Sequence, residues 1–333
     1  MESSEQLRDN SNQNGLILET KEPDKKIIPS EVTKSEKIRL LLPIIIMLFI
    51  IVVTWATPNV VGRYLTSNDL LTPTQISALR YIPASITLLI FCFITKRGKL
   101  LIAVLKEKYI HLLIASIILT SFVLFQMFSV KYTTASASSF LLNVNPVITF
   151  VLSIIILKER HKWWGGIGVA IASIGIFFIA IPLDNISQLF NSANILGNFL
   201  AFLSGVAWAF YSIYLKRFLK EKDPIVTSTW NLTFSAIILT VVMFAVDGWF
   251  STNPGINAFL LTTFLGIVPT AISFTLWFET IRRISVQKAS VFQFLIPIFA
   301  TLLAILFLQE TIDWQFGLGA GLILIGLVVT QTS

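Results

Sequence analysis

Charge is scarce in this chain: 13% of the 333 residues are charged, against 55% hydrophobic, a balance that excludes an ordinary soluble globular protein. Cysteine occurs once, so Cys92 has no partner for an intramolecular disulfide and reads as a small buried apolar residue. No P-loop, HExxH, cysteine pair or GxSxG-type nucleophile is present. The chain therefore has no recognisable means of hydrolysing ATP, and it is read as not an enzyme, with no metal and no cofactor. Only two histidines occur, His111 and His161, and no apolar run holds a central Asp or Glu; Glu279, at the end of one run, comes nearest. A proton-driven pathway would need such groups, so facilitated efflux or exchange is favoured over dedicated proton coupling.

What is abundant is long apolar sequence. Runs of the length needed to cross ~30 Å of hydrocarbon extend over Leu40 to Val61, Thr74 to Thr95, Tyr109 to Val130, Thr133 to Leu157 and Trp163 to Pro182. Five more cover Ile195 to Leu215, Ile225 to Val246, Ala258 to Phe278, Ala289 to Leu308 and Trp314 to Gln331. Stretches such as LLPIIIMLFIIVV are apolar on every face, unlike the alternating strands of a barrel. The expected fold is an all-α membrane protein of ten transmembrane helices. Residues 1–38, polar and of mixed charge, read as a disordered tail.

The net charge of +7 lies in short clusters between apolar runs, which argues against a nucleic-acid partner. Basic residues mark the cytoplasmic side of a membrane protein. Alternate gaps hold Lys96, Arg97, Lys99, Lys106 and Lys108; Lys158, Arg160 and Lys162; Lys216, Arg217, Lys220 and Lys222; and Arg282, Arg283 and Lys288. The opposite gaps hold only Arg63 and Lys131. Both termini are thus expected in the cytoplasm, with the chain multi-pass in the cell membrane.

The chain also repeats itself. A shift of 151 residues lays Pro73 on Pro224, Pro146 on Pro297, Glu159 on Glu310, Trp163 on Trp314 and Gly175 on Gly326; a shift of 153 lays Trp55 on Trp208. Matches in one order over this distance signal an internal duplication. Five is an odd number of spans, so the second copy enters the membrane from the opposite side. Two inverted five-helix repeats, 39–183 and 194–332, are expected. Inverted repeats are the usual basis of alternating access, which makes transport the leading expectation.

The pattern LTPTQISALRYIPASITLL, then KYTTASASSFLLNVNPVITFVLSIIILKER and WWGGIGVAIASIG, with a second copy in RRISVQKASVFQFLIPIFATLLAILFLQET and WQFGLGAGLILIG, resembles the EamA-type domain of the drug/metabolite transporter superfamily. That resemblance implies a central cavity bounded by helices 1 to 4 and 6 to 9, with helices 5 and 10 peripheral. It further implies a secondary transporter of amino acids, other small metabolites, sugar phosphates or nucleotide-sugars. An amino-acid or metabolite exporter is the first expectation; a sugar-phosphate or nucleotide-sugar exchanger is the second, and a non-transporting receptor or assembly subunit the third.

Arg80 is the one basic residue well inside a run, ~10 Å from its start. It reads either as a counter-charge for a carboxylate or phosphate, or as a gate latch, or as an arginine snorkelling to the interface; its repeat counterpart is Asn231. The other candidates for a cavity are Trp55 and Asn59 in helix 1, Gln126 in helix 3, Asn143 in helix 4, Trp208 and Tyr211 in helix 6, Trp277 in helix 8 and Gln293 in helix 9. The tryptophans read equally as interfacial belt residues, and Asn143 and Gln293 as helix–helix hydrogen-bonding groups. Pro146 and Pro297 are expected to kink helices 4 and 9 and to act as hinges. Glu159 and Glu310 are expected to cap the helices that follow them. The GxxxG pair Gly317 and Gly321 fits either packing within the monomer or a homodimer face. The expected partners are the lipid bilayer and a small-molecule substrate.

Overall fold

The computed structural model describes residues 34–133, 135–159, 162–180, 194–248, 254–308 and 314–332, with backbone alone for 34–40, 135–137, 139, 180 and 304–308. Residues to Leu40 form one unit and Leu41–Ser333 a second; the helix bundle and its cavity belong to the second. The positions Arg160, His161, Glu310 and Asp313, and the expected tail up to residue 33, lie outside the described residues.

Helices make up the described chain. The first span is α1 (Lys34–Trp55) and α2 (Thr57–Ser67). The second is α3 (Pro73–Ile94), the third α4 (Gly98–Tyr132), the fourth α5 (Ala135–Leu142) with α6 (Asn145–Leu157), and the fifth α7 (Trp163–Ala180). In the second half come α8 (Ile195–Leu219), α9 (Pro224–Val246), then α10 (Gly255–Gly266) joined by a π-turn (Ile267–Ile272) to α11 (Ser273–Arg283). Then follow α12 (Val286–Val291), a 3₁₀ turn (Phe292–Leu295), α13 (Ile296–Leu308) and α14 (Trp314–Gln331). Nine of these segments are long and apolar enough to cross a bilayer, and a shorter apolar helix covers Trp163–Ile179. With its 18 residues, α7 is ~27 Å long, close to the hydrocarbon thickness. The protein is a multi-pass membrane protein.

Several boundaries differ from the hydropathy reading, among them two helix starts. α1 starts at Lys34 rather than Leu40, because KSEKIR contains no helix breaker and a helix does not end where the hydrocarbon does. α4 starts at Gly98 but has non-helical dihedrals at Lys108 (φ −125°, ψ 18°). A short amphipathic segment, with Leu101 and Val104 buried, therefore precedes the apolar span that begins at Tyr109.

Equivalent helices of the two halves are started in the same way. Thr72 caps α3 in a reciprocal capping box with Gln75, and Pro73 follows at the first turn. Asp223 caps α9 by accepting from Ile225 N and Val226 N, followed by Pro224. Each cap satisfies backbone donors that the first turn leaves open, and proline is tolerated there because its missing N–H would be unpaired anyway.

These two counterparts pack against each other along their lengths and antiparallel. Thr72 and Thr74 at the start of α3 donate to Asp247 at the end of α9. Ser85 meets Thr233 at 2.8 Å, Cys92 meets Thr229 at 3.4 Å, and Arg97 pairs with Asp223 at 2.6 Å. The fifth and tenth spans do the same with bare backbone. A Cβ on Gly168 would lie 2.6 Å from the Gly326 carbonyl oxygen, and one on Gly175 would lie 2.6 Å from that of Gly319. Only glycine permits this approach. Among the described residues a Cβ placed on Gly317 or Gly321 would have nothing within 4 Å, whereas Gly319 and Gly326 make the close contacts of α14.

Among the described residues four spans are interrupted within their apolar length, each next to a proline. The first breaks at Ala56, ahead of Pro58, and the fourth at Asn143 and Val144, ahead of Pro146. The ninth passes through a 3₁₀ turn ahead of Pro297, and the eighth carries Pro269 inside its π-turn. At Pro146 and Pro297 the expected kink is thus a break just upstream, with the proline in the first turn of a new helical segment. By contrast α8, the counterpart of the first span, and α4, the counterpart of the eighth, have no break at the equivalent depth.

Candidate functional site

Broken helices expose backbone and polar side chains that an intact helix would cover, and in a membrane such backbone is tolerated only against protein or a cavity. A cavity of ≈ 50 Å³ lies at these breaks, lined by Trp55, Pro58 and Asn59 from the first span, Arg80 from α3, Phe122 and Gln126 from α4, and Leu142, Asn143 and Asn145 from the fourth. Trp208 of α8, Phe274 of α11 and Gln293 and Ile296 of the ninth span complete it. It has room for a few water molecules at about 10–15 Å³ each.

Arg80 is 3% exposed. Its Nε donates to Thr270 Oγ1 at 2.6 Å, and Thr270 in turn donates to the Leu265 carbonyl at 2.7 Å. The π-turn supplies Thr270, so the arginine is tied to the deformed part of the eighth span. α3 and α10 are drawn close here, since a Cβ on Gly266 would collide with the Arg80 carbonyl oxygen. Among the described residues the ion pairs are Arg97–Asp223, Lys222–Glu107 and those of Arg282 and Arg283 with Glu279. No carboxylate among them pairs with Arg80.

The first span is fixed to the same turn. Trp55 donates its indole N–H to the Pro269 carbonyl at 2.9 Å, and Thr54 and Ser273 share a hydrogen bond of 2.7 Å. A π-turn releases carbonyls from the regular helical ladder, and Trp55 takes up one of them. Trp55 also meets its repeat counterpart Trp208 edge to face at 4.9 Å, and both lie against Phe274. Phe122, Tyr211 and Trp277 pack around Trp208 at 4.9, 5.5 and 5.7 Å. The result is an aromatic wall along one side of the cavity.

Three further lining groups lack hydrogen-bond partners: Asn145 Oδ1, Trp208 Nε1 and Gln293 Nε2. Buried polar groups are rarely left unpaired. The acceptor and the two donors thus belong to residues that border the same small space as Arg80. Gln126 Nε2 donates to Asn59 Oδ1 at 3.0 Å across the cavity wall.

Of the residues singled out from sequence, the structure gathers Trp55, Asn59, Arg80, Gln126, Asn143, Trp208 and Gln293 around the cavity. Tyr211, Asn231 and Trp277 are buried but do not line it: Asn231 Nδ2 donates to the Tyr211 hydroxyl at 3.4 Å, and Trp277 Nε1 donates to Ser212 Oγ at 3.2 Å. Phe122, Phe274, Leu142 and Ile296 were missed; as four apolar side chains in a chain with 27 phenylalanines, they carry no polar signal. Asn145 and Thr270 stood out only as polar residues in apolar runs.

The ends of the helices on the side rich in basic residues are tied together. Besides Arg97–Asp223 and Lys222–Glu107, Lys216 Nζ donates to the carbonyls of Ile281 and Ile284, and His111 Nδ1 lies 2.7 Å from the Tyr214 hydroxyl. Glu159 Oε1 accepts from Val286 N at 3.4 Å, at the start of α12 in the other half. Lys288 lies away from the cavity, with Nζ 3.4 Å from the Gln331 carbonyl oxygen.

Comparison with known proteins agrees with this architecture. An uncharacterized transporter of Clostridium kluyveri is 24% identical over 86% of this chain and 93% of its own length. The uncharacterized transporter YoaV of Bacillus subtilis is 24% identical over 77% of this chain and 86% of its own. A solved crystal structure at 17% identity shares the fold, with a TM-score of 0.73 over 86% of this chain and 96% of that one. The model of the EamA-like transporter family matches twice, at residues 42–181 and 195–332, once for each half of the helix bundle, and the chain belongs to that family.

Proposed function

We propose that this protein is a secondary transporter that moves small organic metabolites bearing an anionic group, with export of amino acids or related compounds as the primary role. It works by alternating access between two five-helix units inverted in the membrane, residues 39–183 and 194–332. The antiparallel packing of α3 on α9 and of α7 on α14 supports the inversion. The clustering of basic residues supports cytoplasmic termini in the cell membrane. On that reading the cavity belongs to the outward-facing half, and the tied helix ends form a closed cytoplasmic gate. The open faces of Gly317 and Gly321 leave α14 free for a second copy.

One observation carries the substrate reading: Arg80 is buried, lines the cavity and has no carboxylate partner among the described residues. An unpaired buried charge costs several kcal/mol, and a ligand carboxylate removes that cost. The aromatic wall suits an apolar body, and Asn145 Oδ1 accepts from an ammonium or hydroxyl. A phosphorylated substrate calls for more than one buried cation on the same group, and Arg80 is the only basic residue of the lining.

The test is uptake and efflux of a metabolite panel by proteoliposomes holding wild type or Arg80→Ala. Movement of an acidic metabolite, lost in the variant, is expected. Folded protein that moves no member of the panel sinks the transport reading. Unchanged affinity for acidic cargo in Arg80→Ala removes the assigned role of Arg80.

A further inference from the structure

Two hydrogen bonds of this molecule are mirror images under the repeat. Gln126 donates to Asn59 beside the cavity, and the equivalent positions, Trp277 and Ser212, form the donor–acceptor pair Nε1 to Oγ at 3.2 Å away from the cavity lining. Arg80 is mirrored by Asn231, and Pro58 by Tyr211. The second set is dry: Ser212, Asn231 and Trp277 are at most 1% exposed.

It is also polar beyond what it can satisfy. Asn231 Oδ1, Tyr81 OH and Thr227 Oγ1 are buried without a hydrogen-bond partner, and Thr227 lies one helical turn from Asn231 toward the tied ends. Buried orphans are destabilising, and a permanently dry core would shed them by substitution to apolar residues. A surface that is wet during part of a working cycle has reason to keep them.

We infer that Tyr81, Tyr211, Ser212, Asn231, Thr227 and Trp277 line a second vestibule, which opens toward the face bearing the Arg97–Asp223 pair when the first cavity closes. This rests on the transporter reading. The two vestibules are chemically unequal. Where the first offers a guanidinium, the second offers an amide, hydroxyls and an indole, all neutral, so an anionic metabolite is held by uncharged donors there. The Trp277–Ser212 hydrogen bond is the latch that breaks on opening, as Gln126–Asn59 is its counterpart at the first cavity.

The experiment is thiol accessibility in sealed vesicles of known sidedness, in a Cys92→Ala background, with a membrane-impermeant charged methanethiosulfonate. Thr227→Cys and Ser212→Cys, on different helices, are expected to react at least tenfold faster from the face of the Arg97–Asp223 pair. Asn59→Cys is expected to react faster from the opposite face. Radiolytic footprinting of the unmutated protein is a second reading, with oxidation expected at Tyr81 and Tyr211. The proposal is overturned if both thiols stay unreactive from either face while Asn59→Cys reacts, or if they share the sidedness of Asn59→Cys. It is equally overturned if the thiol variants do not fold and the tyrosines of the wild type resist oxidation. Transport of a panel member with an unreactive tract removes the vestibule alone; a reactive tract with no cargo moved removes the cargo reading alone.

Discussion

Trp55 and Trp208 occupy equivalent positions in the two halves and meet edge to face at 4.9 Å, yet only Trp55 has its indole N–H paired, with the carbonyl of Pro269. One tryptophan joins two broken helices; the other leaves a donor at the cavity.

The two should therefore separate in their effects. Trp55→Phe strands the Pro269 carbonyl and is expected to lower stability by about 1 kcal/mol, read as a lower melting temperature in detergent. Trp208→Phe loses the same part of the ring but removes an unpaired donor, so it lowers the melting temperature less than Trp55→Phe does and changes substrate affinity in a transport assay. Equal destabilisation by both would contradict the assignment.

Arg80→Lys is the informative companion to Arg80→Ala. Lysine keeps the charge but loses the geometry that places Nε on Thr270 and leaves the rest of the fork for a ligand. A charge-assisted hydrogen bond contributes about 1.5–3 kcal/mol, so affinity for an acidic cargo should fall roughly 10- to 150-fold in Arg80→Ala and by less in Arg80→Lys. Thr270→Val, which removes the positioning partner alone, should fall between wild type and Arg80→Ala.

The α7–α14 contact predicts opposite outcomes for glycines of one helix. Gly326→Val puts side-chain atoms where a Cβ alone already collides with the Gly168 carbonyl oxygen, and should destabilise by about 3 kcal/mol or more or abolish folded protein. Gly317→Ala and Gly321→Ala meet nothing within 4 Å among the described residues and replace the weaker helix former. They should melt at or above the wild-type temperature, as thermal unfolding of the purified variants will read out.

Asp223 both caps α9 and pairs with Arg97. Asp223→Ala should cost about 1–2 kcal/mol, chiefly from the lost cap, because the partly exposed ion pair contributes little. Arg97→Gln should then cost well under half as much, a ratio measurable by thermal denaturation.

Much of this was legible in the sequence, for identifiable reasons. Apolar runs located the spans because hydrocarbon admits few alternatives to a helix. Arg80 stood out because a deep basic residue is expensive. The π-turn at Ile267–Ile272 was not legible, since a proline in a membrane helix signals some distortion but not its register. Phe122 and Phe274 were hidden among many phenylalanines that face lipid. Tyr211, Asn231 and Trp277 show another limit: the repeat identifies equivalent positions, but not which of the two sets borders the cavity.

The glycine contact between α7 and α14 also bears on how such a protein can diversify. Backbones that touch leave no side chain to trim, so extra room for a larger cargo cannot be won at that seam. It has to come from shortening Phe122, Leu142, Phe274 or Ile296, which border the cavity and make none of the hydrogen bonds described there. Cargo range can thus drift through a few apolar positions while the seam, and with it the pairing of the two repeats, stays fixed.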